Sequence, residues 1–237
     1  MFIPILIGAA AFLGLMLIST DVEKKLEAIA PSRRRKGGQE PLVTFTGKSV
    51  FWKRNRKTGE NLYRTEIVEK PKDLVMKVSE KVGREISVPT FLLASLMASE
   101  AGDGPGIAKA AIAHAALTNA AKNKKNLSKL LIPDGKLGGQ QGRYASTSRP
   151  PSAVDIELAE AVLRGEIGNP TPGATNWDSP DGMDAAAKRG VPGYEIPEGG
   201  LSASDYLEYK RKTKNKMVDL YPKGVSPRYL RMWKPAA

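Results

Sequence analysis

The residue of this sequence best suited to acid–base chemistry is Glu100, which lies near the end of the stretch Phe91–Gly102. Nine of the first ten residues of that stretch are apolar or small, which predicts a buried helix that ends at Gly102. A carboxylate there meets the negative end of the helix dipole and apolar surroundings, and both raise its pKa. A carboxylic acid with a raised pKa suits a general acid that protonates a glycosidic oxygen. The alternative is a surface glutamate that follows an apolar helix.

Cysteine and histidine chemistry is largely excluded. The chain has 237 residues, no cysteine and one histidine, His114, so disulfides, cysteine nucleophiles and multi-histidine metal sites are ruled out. His114 lies in the alanine-rich stretch Gly106–Lys122, and no Gly-x-Ser-x-Gly elbow accompanies it. We interpret it as a packed helix histidine. The chemistry left is that of carboxylate, lysine or hydroxyl groups, and we expect no metal and no cofactor.

Helices surround Glu100 in the predicted organisation. Hydrophobic periodicity and capping residues predict helices at Asp73–Val82, Ile107–Lys122, Asn126–Ile132 and Ser152–Arg164. Pro133–Pro151 is a long polar loop, and loops of this length in compact domains are usually functional or disordered.

A β-hairpin precedes the helices. Leu42–Val68 contains two runs of β-forming residues around a turn at Asn55–Gly59. Trp52 and Tyr63 stand between basic residues and could stack on nucleic-acid bases. The hydrophobic face of the hairpin itself is the simpler explanation.

The first residues, Met1–Ile18, form an unbroken apolar run. As a helix it would be about 27 Å long, enough to cross a thin hydrocarbon core. A cleaved signal peptide would need a basic start and a small-x-small cleavage site, so we favour an uncleaved membrane anchor. The basic residues that follow, including Arg33–Lys36, would keep the rest of the chain on the cytoplasmic side.

The net charge of +12 is concentrated in the flanks. Residues 21–72 carry a net +7 and residues 181–237 a net +4, whereas the middle is nearly neutral. Basic flanks suit nucleic acid, anionic lipid or an anionic cell-wall polymer. Ordinary solvated surface charge is the alternative.

Three segments, taken in order, resemble cell-wall hydrolases of the spore-cortex-lytic type. They are Leu96–Gly102, the alanine-rich stretch Ala110–Asn119, and the loop Gly165–Pro180, which contains Asn169-Pro170-Thr171 and Trp177. The resemblance covers roughly residues 73–180. The sequence departs from the family where a second acidic residue is common, since that position is Gly104, and the usual Asn-Arg pair is Asn119-Ala120.

The resemblance implies a lysozyme-like helical fold that cleaves the glycan of peptidoglycan, with Glu100 as catalytic acid and the Trp177 loop beside the substrate. Amide and aromatic side chains suit sugars, which need hydrogen bonds and stack on rings. The predicted substrate-binding residues are Asn119, Gln140, Gln141, Tyr144, Thr171, Trp177 and Asp178.

Two mechanisms are open to such a site. A glycosidase normally needs two carboxylates, whereas a lytic transglycosylase needs one, because the sugar's own 6-hydroxyl attacks. The resemblance favours the single-carboxylate route. Asp103 and Asp178 are the candidates for a second carboxylate, but a turn and a loop cap explain them more simply.

We therefore predict a mainly α fold: a lysozyme-like helical domain with a small β-hairpin module and an N-terminal transmembrane helix. The predicted segments are an anchor at 1–19, a basic linker at 20–41, the hairpin module at 42–72 and the catalytic domain with a basic extension at 73–237. The predicted function is lytic transglycosylation of peptidoglycan glycan strands by a virion-associated protein that acts in the host envelope during genome entry. Met1–Ile18 would anchor it in a membrane, and its predicted location is the virion membrane or the virion interior. Anionic lipid, nucleic acid and other virion proteins are further predicted partners. The alternative is a basic, membrane-anchored structural virion protein that binds nucleic acid and retains an inactive lysozyme-like fold.

Overall fold

A computed structural model of the chain describes residues 24–26, 28, 40–55, 58–138, 146–191, 194 and 199–236. The helices are α1 (Pro71–Val82), α2 (Val88–Glu100), α3 (Gly106–Lys122), α4 (Leu127–Leu131), α5 (Ala153–Leu163), α6 (Pro180–Lys188) and α7 (Ala203–Thr213), and residues 24–26 and 28 are also helical. The strands are β1 (Gly47–Arg54), β2 (Asn61–Ile67), β3 (Asn176–Asp178), β4 (Met217–Leu220) and β5 (Arg231–Pro235).

Helix α2 lies at the centre of the core, in contact with α1, α3, α4 and α5. Every residue from Thr90 to Ala98 is buried. Each large apolar side chain among them stabilises the fold by about 1.5–3 kcal/mol. At its start, the Ser87 hydroxyl accepts a hydrogen bond from the Thr90 amide at 3.2 Å, which caps the helix. The last residue of this rigid, buried helix is Glu100.

Helices α3 and α5 are joined by an ion pair in the core. Lys109 Nζ lies 2.6 Å from Asp155 Oδ1, and both side chains are almost completely buried. Asp155 also accepts hydrogen bonds from the backbone and hydroxyl of Ser152, which completes a capping box at the start of α5. The buried charges therefore have partners, as burial requires.

The β-hairpin predicted before the helices is present. Strands β1 and β2 pair antiparallel, with Phe51 opposite Tyr63 and a register shift between Phe51 and Lys53. Residues 56 and 57, at the predicted turn, lie outside the described residues.

A second sheet brings together distant parts of the chain. Its strand order is β3-β5-β4, and both pairings are antiparallel. The central strand β5 begins with three buried residues, Arg231, Met232 and Trp233. Through this sheet, the C-terminal strand β5 pairs with β3, the strand that carries Trp177.

The four helices predicted by periodicity are confirmed to within one or two residues at each end, but the predicted fold class is wrong. It allowed one β-hairpin, whereas the described residues contain two sheets, and it did not include α6 or α7. The strands of the second sheet have only three to five residues and their burial does not alternate strictly, so they lack the period-two pattern that marks a strand.

The transmembrane part of that prediction has no support in the structure. In the part of the chain that the structure describes, no helix combines the length and the apolarity needed to cross a membrane. The run Met1–Ile18 lies outside the described residues.

Candidate active site

The carboxyl group of Glu100 is held from two sides by N–H donors. The Ser146 backbone amide donates to Oε1 at 2.6 Å, and the Trp177 indole Nε1 donates to Oε2 at 3.0 Å. These partners are 46 and 77 residues away in the sequence. Both carboxyl oxygens therefore have fixed orientations at the end of α2.

Burial dominates the electrostatics of Glu100. It raises the pKa of the carboxyl group above its ordinary value, because the charged form loses hydration. The hydrogen bonds from Trp177 and Ser146 favour the charged form and lower the pKa, but by less than burial raises it. The side chain thus keeps its proton to higher pH than an exposed glutamate. Its carboxylate form is stabilised by two N–H donors, the Ser146 amide and the Trp177 indole.

The segment that carries Ser146 is attached to the end of α2 at a second point. The Arg149 amide donates to the Ser99 hydroxyl at 2.9 Å. The hydroxyls of Ser146 and Ser148 lie 2.9 Å apart within the same segment. Segment 146–149 therefore runs along the last turn of α2 and fixes the Ser146 amide against Glu100.

Tyr229 occupies the space beyond the end of α2. Its hydroxyl donates to the Ala101 carbonyl, which satisfies a backbone acceptor at the helix C-terminus. A Cβ at Gly104 would lie 1.8 Å from that hydroxyl. Any side chain at position 104, including an acidic one, would require Tyr229 to move. The position of Tyr229 therefore accounts for the glycine at 104.

Asp178 is adjacent to Trp177 but serves a different contact. Its Oδ1 lies 2.8 Å from Arg211 Nη2, and its Oδ2 accepts a hydrogen bond from the Trp233 indole. Both ion-pair partners are mostly buried. Successive residues of a strand point to opposite sides, so Trp177 faces Glu100 while Asp178 faces α7 and β5. Asp103, the other candidate carboxylate, is exposed on the turn after α2.

The other described residues of the predicted site lie near the strand of Trp177. Asn119, at the end of α3, donates through Nδ2 to the Thr175 carbonyl at 3.2 Å, two residues before Trp177. Thr171 is buried in the loop before β3, and its hydroxyl has no hydrogen-bond partner within the described part of the chain. Gln140, Gln141 and Tyr144 lie outside the described residues.

Tyr194 is a residue near the site that the sequence did not indicate. Burial raises the pKa of its hydroxyl, and the negative charges of Glu100 and Asp178 raise it further. Its side chain is 37% exposed, so it lies at the surface beside the two carboxylates. No motif surrounds it, and only the folded chain brings it to this position.

The single histidine has a structural role. His114 Nε2 lies 2.9 Å from the Ile167 carbonyl, which accepts its hydrogen bond. Burial lowers the pKa of the imidazole, so the neutral form is favoured. Among the described residues, acidic and histidine side chains form no group that could hold a metal ion.

One depression of the described surface lies away from Glu100. It has a volume of about 490 Å³ and is lined by Arg84, Glu157, Glu160, Arg164 and Glu166. Arg84 and Arg164 pair with the acidic residues, with Arg164 Nε 2.6 Å from Glu166 Oε1. These paired, solvated charges make it an ion-pair network and leave Glu100 as the better candidate for catalysis.

Comparison of the chain with protein-family models, with curated proteins and with solved structures finds no match.

Proposed function

We propose that this protein cleaves the glycan strand of peptidoglycan by lytic transglycosylation, with Glu100 as the only catalytic acid and base. The observation that carries the proposal is the state of the Glu100 carboxyl group. It is half-buried at the end of the central helix, its pKa is raised, and each oxygen accepts one N–H hydrogen bond. A carboxyl group that keeps its proton to higher pH than an ordinary glutamate, and whose anion is held by two N–H donors, can act first as acid and then as base.

In the first step, protonated Glu100 donates its proton to the glycosidic oxygen, and the bond between that oxygen and the anomeric carbon breaks. The carboxylate left on Glu100 is stabilised by the Ser146 amide and the Trp177 indole. Hydrogen bonds to a charged acceptor are about twice as strong as those between neutral groups, so these contacts strengthen as the proton leaves.

In the second step, the 6-hydroxyl of the same sugar attacks the anomeric carbon, and Glu100 takes the hydroxyl proton. The product is a 1,6-anhydro sugar end, and Glu100 is again protonated. No water is consumed, so no second carboxylate is needed to activate one.

The surroundings of Glu100 favour this single-carboxylate route over hydrolysis. Asp178 is engaged by Arg211 and Trp233, and Asp103 is exposed beyond the end of the helix. The position where related enzymes commonly have a second acid is Gly104, beside the Tyr229 hydroxyl. None of these groups is placed as a partner of Glu100 for activating water.

Substitution of Glu100 by glutamine tests the proposal, since it keeps the size of the side chain and removes the acidic proton. The full-length chain carrying Glu100→Gln should clear purified cell-wall sacculi at least about a hundredfold more slowly than the wild type. Glu85→Gln is the matched control, because it makes the same chemical change at an exposed carboxylate. A thermal melt of each variant checks that the fold is kept.

Mass spectrometry of the released fragments identifies the reaction. Transglycosylation gives anhydro ends whose mass is one water lower than that of hydrolytic products. Reducing ends without the anhydro ring would leave Glu100 as the catalytic acid but would show hydrolysis, which overturns the single-carboxylate mechanism. Unchanged clearing by Glu100→Gln would remove Glu100 from the site.

A further inference from the structure

Two aromatic rings are exposed side by side on the β-hairpin. Phe51 and Tyr63 are direct cross-strand partners, with exposed fractions of 59% and 58%. Their ring centroids are 6.4 Å apart at an interplanar angle of 84°. The half-buried side of the hairpin carries Val50 and Leu62 instead. The hydrophobic face of the hairpin therefore does not account for this aromatic pair.

Small polar residues flank the two rings on this face, which ends at the buried Ile67. By the alternation of side chains along each strand, Ser49, Thr65 and, beyond the register shift, Asn61 lie on the same side as the rings, and all three are exposed. Hydroxyl and amide groups beside aromatic rings are what a sugar chain needs, since its hydroxyls form hydrogen bonds and its ring faces pack on aromatic surfaces.

A nucleic acid would require cations beside the rings to neutralise its phosphates. Of the basic residues whose side chains the structure describes in β1 and β2, only Arg54 shares this face, and its Nε donates to the Gly59 carbonyl at 2.6 Å. Lys48 is on the other face and pairs with Glu66 at 3.1 Å. The aromatic face thus favours a glycan, while the net charge of +3 on the two strands complements the carboxylates of cell-wall stem peptides.

Both ends of the hairpin are attached to segments that lead to Glu100. At one end, the Ile67 amide donates to the Leu137 carbonyl at 3.0 Å, nine residues before Ser146. At the other end, Asn55 Nδ2 donates to the Arg189 carbonyl at 3.1 Å, five residues before Tyr194. The hairpin is therefore held between the two segments that supply Ser146 and Tyr194 to the site.

From these contacts we infer that the hairpin face formed by Phe51 and Tyr63, with Ser49, Asn61 and Thr65, is an accessory binding surface for the glycan strand that Glu100 cleaves. The inference rests on the proposed function, because the same polymer occupies both places. The surface holds the strand beyond the cleavage point and keeps the protein on the wall between cleavage events.

Binding can be measured without cleavage in the full-length chain carrying Glu100→Gln, by co-sedimentation with purified sacculi. Adding Phe51→Ala and Tyr63→Ala together should weaken binding at least about tenfold, the loss of about 1.4 kcal/mol of ring contact. The swap Phe51→Tyr with Tyr63→Phe keeps both rings and should bind like the parent. Tyr209→Ala is the matched control, since Tyr209 is an exposed tyrosine on α7 with an exposed fraction of 54%.

The aromatic side chains are exposed, so the alanine variants should melt within a few degrees of the parent, which separates a binding defect from unfolding. Equal binding of sacculi by the double alanine variant would overturn the inference. Loss of binding to a single-stranded oligodeoxythymidine, with sacculi binding retained, would also overturn it and assign the face to nucleic acid. Cleavage by the wild type is scored separately, so failure of the proposed reaction is distinguishable from failure of the hairpin surface.

Discussion

Replacing Trp177 with phenylalanine isolates one of the two hydrogen bonds to Glu100. The ring remains aromatic and half-buried, but the indole N–H that lies 3.0 Å from Oε2 is lost. This donor favours the carboxylate, so its removal should raise the pKa of Glu100 further above its ordinary value. If Glu100 must hold its proton to start the reaction, the loss of activity at alkaline pH should move to higher pH.

The size of this change follows from the strength of the bond. A hydrogen bond to a charged group contributes about 1.5–3 kcal/mol, and one pKa unit corresponds to about 1.4 kcal/mol. The alkaline limb of the pH–rate profile should therefore shift to higher pH by about one to two pH units in Trp177→Phe. The maximal rate on the plateau below the alkaline limb should fall, because the carboxylate formed in the first step has lost one of its two donors.

The same reasoning fixes the pH dependence of stability. The folded-state pKa of Glu100 is raised, so its contribution to stability is fully present at acid pH and is lost as pH rises through the folded-state pKa. Trp177→Phe should therefore be destabilised relative to the wild type by more at pH 8 than at pH 4. At pH 4, Glu100 is protonated in both proteins. The difference measured at pH 4 reports the packing change alone.

The assays are kcat/KM on solubilised glycan strands across pH and thermal melts at the two pH values. Trp52→Phe is the control, since it makes the same change on the β-hairpin and should leave the alkaline limb in place. An alkaline limb that stays where it is in Trp177→Phe, or moves to lower pH, would refute the role assigned to the indole.

Two further predictions concern residues that the structure assigns to the scaffold. Asp178→Asn should lower the free energy of unfolding by about 3–5 kcal/mol, because it leaves the mostly buried Arg211 without its counter-ion. At low temperature, where the variant is folded, it should retain activity. A chemical denaturation curve beside an activity assay checks this, and lost activity at unchanged stability would instead make Asp178 catalytic. Gly104→Ala should cost about 1–3 kcal/mol, because its Cβ would lie 1.8 Å from the Tyr229 hydroxyl. A melt measures the loss, and an unchanged melting temperature would contradict the packing described at the end of α2.

What the sequence determined by itself was local. The run of apolar and small residues before Glu100 is enough to predict a buried helix with a carboxylate in its last turn. Capping residues placed the start of α5 equally well. The absence of cysteine and the single histidine excluded whole classes of chemistry. These features depend on neighbours three or four residues apart, which periodicity and capping patterns report directly.

What only the tertiary structure decided was the choice of distant partners. The donors to Glu100 come from positions 46 and 77 residues away, and one of them is a backbone amide that any residue type could supply. The same holds for Asp178, whose partners Arg211 and Trp233 belong to α7 and β5. The outward direction of Phe51 and Tyr63 depends on which face of the hairpin the core covers, a choice that alternation along the strand leaves open. Packing of the whole chain makes these choices, because burial and long-range pairing are not encoded in any short stretch.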